Sequence, residues 1–298
     1  MRELDSHSAG LIVFIYFYLF NKETITLERV KTGVPGFDGL IQEGIPRGFN
    51  VLLVGQPGAG KTIFGLQYLV NGAMQGENGL YISLDSPNEM VKSQGRRFGW
   101  EIDRLEREGK LSFLRVPLDK PKINLFDIMR EEVLSSGAKR LVFDSLVDFS
   151  INADQFVIPL SKDGGPVAND EDQSTIERYN RMKYSMLPSQ DADKNTAFYK
   201  GGSERRITYL VINELSKLGT TNIIITDEKM EGEHFTVDGV SEYVCDGVIV
   251  TYNQLIGAKR ERTLAVLKMR NTNNSPYIHD LIISKNGVWI KPAEEVYV

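Results

Sequence analysis

Eight residues have the composition and spacing to hold a polyphosphate: Gly55-Gln56-Pro57-Gly58-Ala59-Gly60-Lys61-Thr62. They fit the pattern G-x-x-x-x-G-K-[ST]. Glycines let such a loop curl so that backbone N–H groups point inward at phosphate oxygens. A helix starting near Lys61 would aim the positive end of its dipole at the same place. In this chemistry the lysine reaches the β- and γ-phosphates and the Thr62 hydroxyl ligates Mg2+. Gly55 through Thr62, together with Ile63, are therefore the expected nucleotide contacts, with ATP and Mg2+ as the expected ligands. A second signal is Arg140-Leu141-Val142-Phe143-Asp144-Ser145, a short apolar run ending in a carboxylate. A strand there delivers Asp144 to the C-terminal edge of a sheet, where it can hold Mg2+ through water. Ser145 reads either as a contact of the attacking water or as a helix N-cap.

The elements that must position these residues follow from the pattern of apolar runs. Asn50 to Val54, Leu80 to Leu84, Leu111 to Val116, Leu141 to Phe143, Ile223 to Ile225 and Val248 to Val250 read as buried strands. Helical stretches such as Thr62 to Met74 and Leu125 to Ser136 separate several of them. This alternation predicts an α/β fold, a mostly parallel sheet with helices on both faces. Toward the C-terminus, Val248 to Tyr252, Arg262 to Lys268, Asp280 to Ser284 and Val288 to Ile290 have short connections and predict antiparallel edge strands. The 298 residues suffice for a large core. Hydrophobic residues are 41% and charged residues 25%, which argues against global disorder and a multi-span membrane protein. The net charge of −5 excludes a generally basic nucleic-acid binder. With Cys245 the sole cysteine, no intramolecular disulfide and no Cys-rich zinc site can form. His7, His234 and His279 show no metal-ligand spacing. A reducing, cytoplasmic setting is the simplest reading. Leu11 to Phe20 is an apolar run of ten residues, half of what a spanning helix needs, and its β-branched and aromatic content predicts a strand. The expected organisation is an N-terminal extension over 1–23 and a single domain over 24–298. A polar segment at about 152–202 interrupts that domain, and Ile176 to Leu187 reads as a helix within it.

Taken together, these residues resemble the KaiC-like branch of the RecA/RadA superfamily of P-loop ATPases. Further matching motifs are Thr32-Gly33-Val34-Pro35-Gly36-Phe37-Asp38, Gly44-Ile45-Pro46-Arg47-Gly48, Phe98-Gly99-Trp100, the Asp144-Ser145 pair and Lys268-Met269-Arg270-Asn271-Thr272. The resemblance implies a RecA-like core that assembles into rings, usually hexamers, with ATP between subunits. It also implies that Lys268 and Arg270 reach across the interface to the neighbour's γ-phosphate. A cation supplied in trans stabilises charge on the transferred phosphoryl group. Lys259, Arg260 and Arg262, just upstream, read as surface charge.

The chain departs from the family where a water-activating carboxylate is expected. Many members carry two adjacent glutamates there, and this chain reads Leu84-Asp85-Ser86-Pro87. One carboxylate survives, a methylene shorter, so Asp85 is the expected base or water-orienting residue of a slow hydrolysis. A helix cap near Pro87 is its competing role. Asp227, ending the strand Ile223 to Ile225, is a candidate to share the duty. The Ser-Thr pair that the clock member phosphorylates falls at Glu242-Tyr243, which argues against an autokinase cycle of that kind. The segment 152–202 has 8 acidic and 6 basic residues, which does not favour DNA contact and leaves a protein contact or simple disorder as the expectation. The leading expectation is a ring-forming ATPase acting as a switch. Its competitors are an ATP-dependent single-stranded DNA-binding recombinase paralogue and a nucleotide-bound scaffold without turnover.

Overall fold

A computed structural model describes residues 27–116, 123–153, 156, 208–229 and 235–293. The apolar run at 11–20, the expected helix at 176–187 and nearly all of the segment 152–202 lie outside the described residues. Two short strands, β1 (Arg29–Val30) and β2 (Ile45–Pro46), pair antiparallel ahead of the main sheet. The main sheet contains β3 (Asn50–Gly55), β4 (Gly79–Ser83), β5 (Leu111–Arg115), β6 (Arg140–Asp144), β7 (Thr221–Asp227), β8 (Gly247–Ile256), β9 (Lys259–Met269), β10 (Ile278–Ser284) and β11 (Gly287–Lys291). Their spatial order is β11-β10-β9-β8-β3-β7-β6-β4-β5. From β8 to β5 the pairs are parallel; β9, β10 and β11 are antiparallel. The fold is the mixed, mostly parallel α/β sheet that the apolar runs predict.

Helices cover both faces because the central strands are apolar on both. Along β3, Val51 and Leu53 join one buried cluster and Leu52 and Val54 the other, as the two-residue period of a strand requires. The first cluster receives α1 (Lys61–Met74), α2 (Asn88–Arg97) and α3 (Ile102–Arg107) through Phe64, Leu69, Val91, Ile102 and Leu105. The second receives α4 (Leu125–Ser136), α5 (Leu146–Ile151) and a helix through 208–217 by way of Met129, Val133, Leu146, Phe149, Val211 and Leu215. Among the described residues no helix is long and apolar enough to cross a membrane.

One buried cation fixes the strand that carries Asp144. Arg140, 1% exposed, pairs with Glu77 at 2.7 Å and donates to the carbonyls of Lys31 and Tyr68 at 2.9 and 3.1 Å. A buried ion is tolerable only when paired and hydrogen-bonded in this way. With the base of β6 anchored, its fourth following residue, Asp144, emerges at the opposite edge of the sheet.

Candidate functional site: a phosphate loop beside a half-buried carboxylate

β3, in the middle of the sheet, ends at Gly55, and the chain turns through Gln56–Gly60 into α1. Gly58 and Gly60 have φ of 76° and 96°, left-handed backbone that favours glycine, so the curl depends on them. Lys61, the first residue of α1, folds back over the loop. Its ammonium donates to the Gly55 carbonyl at 2.5 Å and the Gln56 carbonyl at 3.2 Å, and pairs with Asp227 Oδ1 at 3.0 Å. The next residue, Thr62, donates from Oγ1 to Asp144 Oδ2 at 3.1 Å. Asp144 Oδ2 also accepts from the hydroxyl of Tyr81, which is buried on β4. Burial pushes the Asp144 carboxyl up, and the Tyr81 and Thr62 hydrogen bonds oppose that rise. A hydroxyl and a carboxylate held together beside a phosphate loop are hard oxygen donors of the kind Mg2+ takes when substrate phosphates complete its shell. The residues present fit MgATP.

Asp85 follows the end of β4, next to Asp144: the Leu84 N–H donates to the Asp144 carbonyl at 3.0 Å. It is exposed. The N-cap position of α2 is Pro87, and among the described residues no side-chain hydrogen bond from Asp85 caps that end. Ser83 instead closes the turn, bonding the Ser86 carbonyl at 2.8 Å and the Ser86 N–H at 3.0 Å. Ser145 is the N-cap of α5, accepting from the Asp148 N–H at 3.3 Å. Asp148 is a carboxylate that the sequence reading passes over. Burial raises its pKa, the hydrogen bond with Ser145 opposes that rise, and the charges of Asp85 and Asp227 add to it.

The structure separates two expected site residues from this group. In β8–β9 the register pairs Lys268 with Val248 and Met269 with Gly247, which itself pairs with Val51 near the start of β3. Lys268 and Arg270 are therefore at the sheet edge opposite the phosphate loop. Both donate to the Tyr243 carbonyl, at 3.4 and 3.2 Å, and Arg270 also pairs with Asp246 at 2.8 Å. Burial and the charge of Arg270 lower the Lys268 pKa. Arg262 corrects the sequence reading: it is not mere surface charge, because its Nε donates to the Gly58 carbonyl of the phosphate loop at 2.8 Å. Glu242 is buried and accepts from the Thr236 N–H at 3.2 Å, while Tyr243 is exposed.

The family model for the KaiC ATPase matches residues 30–157 and 196–295. The chain belongs to the KaiC ATPase family. Relatives of this KaiC-family chain include a circadian clock protein KaiC3 from Synechocystis, 28% identical over 292 residues, covering 93% of this chain and 48% of that protein. A UPF0273 protein from Aeropyrum pernix is 28% identical over 288 residues, covering 91% of this chain and 97% of that one. The chain thus spans about half the length of the clock relative and nearly all of the UPF0273 protein. The crystal structure of a KaiC-like protein from Pyrococcus horikoshii superposes with a TM-score of 0.66 at 27% identity, covering 89% of this chain and all of that one.

Proposed function

We propose that this KaiC-family chain binds MgATP at Gly55–Ile63 and hydrolyses it slowly as one subunit of a homo-oligomeric ring. Residues 24–298 form its one ATPase domain, and the segment 152–202 is an insertion in it. The observation that carries the reading is the joining of Lys61, Thr62 and Asp144 at the end of the central parallel strands. Thr62 and Asp144 would hold Mg2+, which, when bound, supplies positive charge against the phosphates. Lys61 then exchanges the Gly55 and Gln56 carbonyls and Asp227 for phosphate oxygens. Asp85 orients water, and Asp227, beside Lys61, shares that duty. The water oxygen bonds to the γ-phosphorus as the bond to the bridging oxygen breaks; the water proton passes to the carboxylate, and ADP leaves with the electron pair. An aspartate places its oxygens about a methylene short of a glutamate's, and a misplacement near 1 Å costs on the order of 10²-fold in rate. Slow turnover suits a switch between subunit contacts or partners better than a motor. The naming of related chains as circadian clock proteins supports a regulatory role.

The test is steady-state ATP hydrolysis with Mg2+, wild type beside Lys61→Ala. We expect turnover on the order of 10⁻³ s⁻¹ or below, in the range of an unassisted GTPase site, abolished by the substitution. Bound ATP recovered unchanged after days of incubation would sink hydrolysis and leave a nucleotide-bound scaffold.

A further inference from the structure

Asn253 and Arg262 face each other across the β8–β9 hairpin. Both side chains reach the phosphate loop. Asn253 Nδ2 donates to the Pro57 carbonyl at 3.1 Å, and Arg262 Nε donates to the Gly58 carbonyl at 2.8 Å. The backbone N–H of Asn253 donates to Gln56 Oε1 at 3.3 Å. The approach is close: a Cβ added to Gly58 would lie 3.3 Å from Asn253 Nδ2. One hairpin therefore grips three successive residues of the loop. A trans peptide unit is planar, and its C=O and N–H point in opposite directions. Holding the Pro57 and Gly58 carbonyls toward the hairpin turns the N–H groups of Gly58 and Ala59 away from it. The Ala59 N–H closes the turn on the Gln56 carbonyl at 3.1 Å. The Gly58 N–H is left facing away from the hairpin, as a donor for a phosphate oxygen.

We propose that Asn253 and Arg262 are positioning residues that hold the phosphate loop in its anion-binding shape before the nucleotide arrives. This rests on the nucleotide-binding reading above. A loop rich in glycine loses much conformational freedom when it orders around a ligand. Ordering it in advance moves that cost from binding to folding, which raises affinity without a new contact to the ligand.

The test separates loop shape from charge. Arg Nε and Gln Nε2 are the same number of bonds from Cα, so Arg262→Gln keeps the donor to Gly58 and drops the charge. Arg262→Met keeps the length and drops both. Asn253→Ser removes the other tether from the opposite strand and serves as the second variant if Arg262→Met does not fold. Binding of a fluorescent ADP with Mg2+ is measured on the full chain, beside hydrogen exchange of the loop without nucleotide. We expect Arg262→Met and Asn253→Ser to bind roughly tenfold or more weakly, with faster exchange of loop amides and an unchanged circular dichroism spectrum. Arg262→Gln binds within about twofold of wild type. Wild-type affinity and exchange in Arg262→Met overturn the proposal, as does a loss in Arg262→Gln equal to that in Arg262→Met, which would assign the effect to charge. Failure of the wild-type protein itself to bind the probe would instead sink the nucleotide-binding reading.

Discussion

A carboxylate half-buried at a strand end, as Asp144 is, serves a cation best when hydrogen bonds offset its lost hydration. Tyr81 and Thr62 supply them, both to Oδ2. Thr62 is readable from the loop pattern. Tyr81 is not, because in the run Leu80 to Leu84 it looks like one more apolar strand residue, and only the β4–β6 pairing brings its hydroxyl to Asp144. A buried donor to a charged acceptor is worth about 1.5–3 kcal/mol. Tyr81→Phe should therefore lower unfolding free energy by about that amount. It should also raise, by roughly threefold or more, the Mg2+ concentration that gives half-maximal tightening of nucleotide binding. Binding in EDTA should change less, because Tyr81 bonds Asp144 and Thr62, the residues that would hold the metal. Titrating fluorescent ADP at a series of Mg2+ concentrations checks this. An unaltered Mg2+ midpoint would mean that the tyrosine only supports the fold.

Among the strands, β10 carries a buried histidine that ties two chain segments together. His279 Nδ1 accepts from the Ala293 N–H at 2.8 Å, so the neutral ring carries its proton on Nε2, which lies 2.8 Å from Ser275 Oγ. Burial lowers the His279 pKa below its usual value. The unfolded chain thus binds a proton before the folded one does. The stabilisation is fully present above the unfolded pKa of about 6.5 and is lost as pH falls through the lower folded value. Urea unfolding at pH 7.5 and at pH 5 should show this loss, and His279→Gln should flatten the difference; an equal slope in both proteins would rule it out. The strands themselves are legible in the sequence because buried parallel strands are continuous apolar runs. What the elements do to one another is less so. Gly55 looks like part of the phosphate curl, yet its necessity is space for β8: an added Cβ would lie 2.1 Å from Thr251 Oγ1. Arg262 sits among Lys259, Arg260 and Glu261 and looks like solvent charge. Its role appears only when the β8–β9 register sets it opposite Asn253.

Across the whole molecule, the geometry divides the proposed machinery between two ends. From Val51 to Gly55 the central strand climbs about 13 Å, with Lys268 and Arg270 near its start and the phosphate loop after its end. One subunit cannot bring its own Arg270 to its own nucleotide without dismantling β9. The family motif alone implies a cation in trans; the sheet supplies a physical reason for it. Lys61→Ala removes the loop's cation and Arg270→Ala the proposed interface cation, so each homogeneous assembly should be nearly inactive. An interface in a mixed assembly works when its loop comes from the Arg270→Ala chain and its cation from the Lys61→Ala chain. Random mixing of equal amounts makes about a quarter of the interfaces of this kind. ATPase activity should therefore recover to about a quarter of wild type after co-refolding or subunit exchange. Arg270 acting within its own subunit predicts no recovery at any ratio. Titrating one variant into the other also separates the cases by shape: recovery in trans peaks at equal amounts, because the product of the two fractions is then largest.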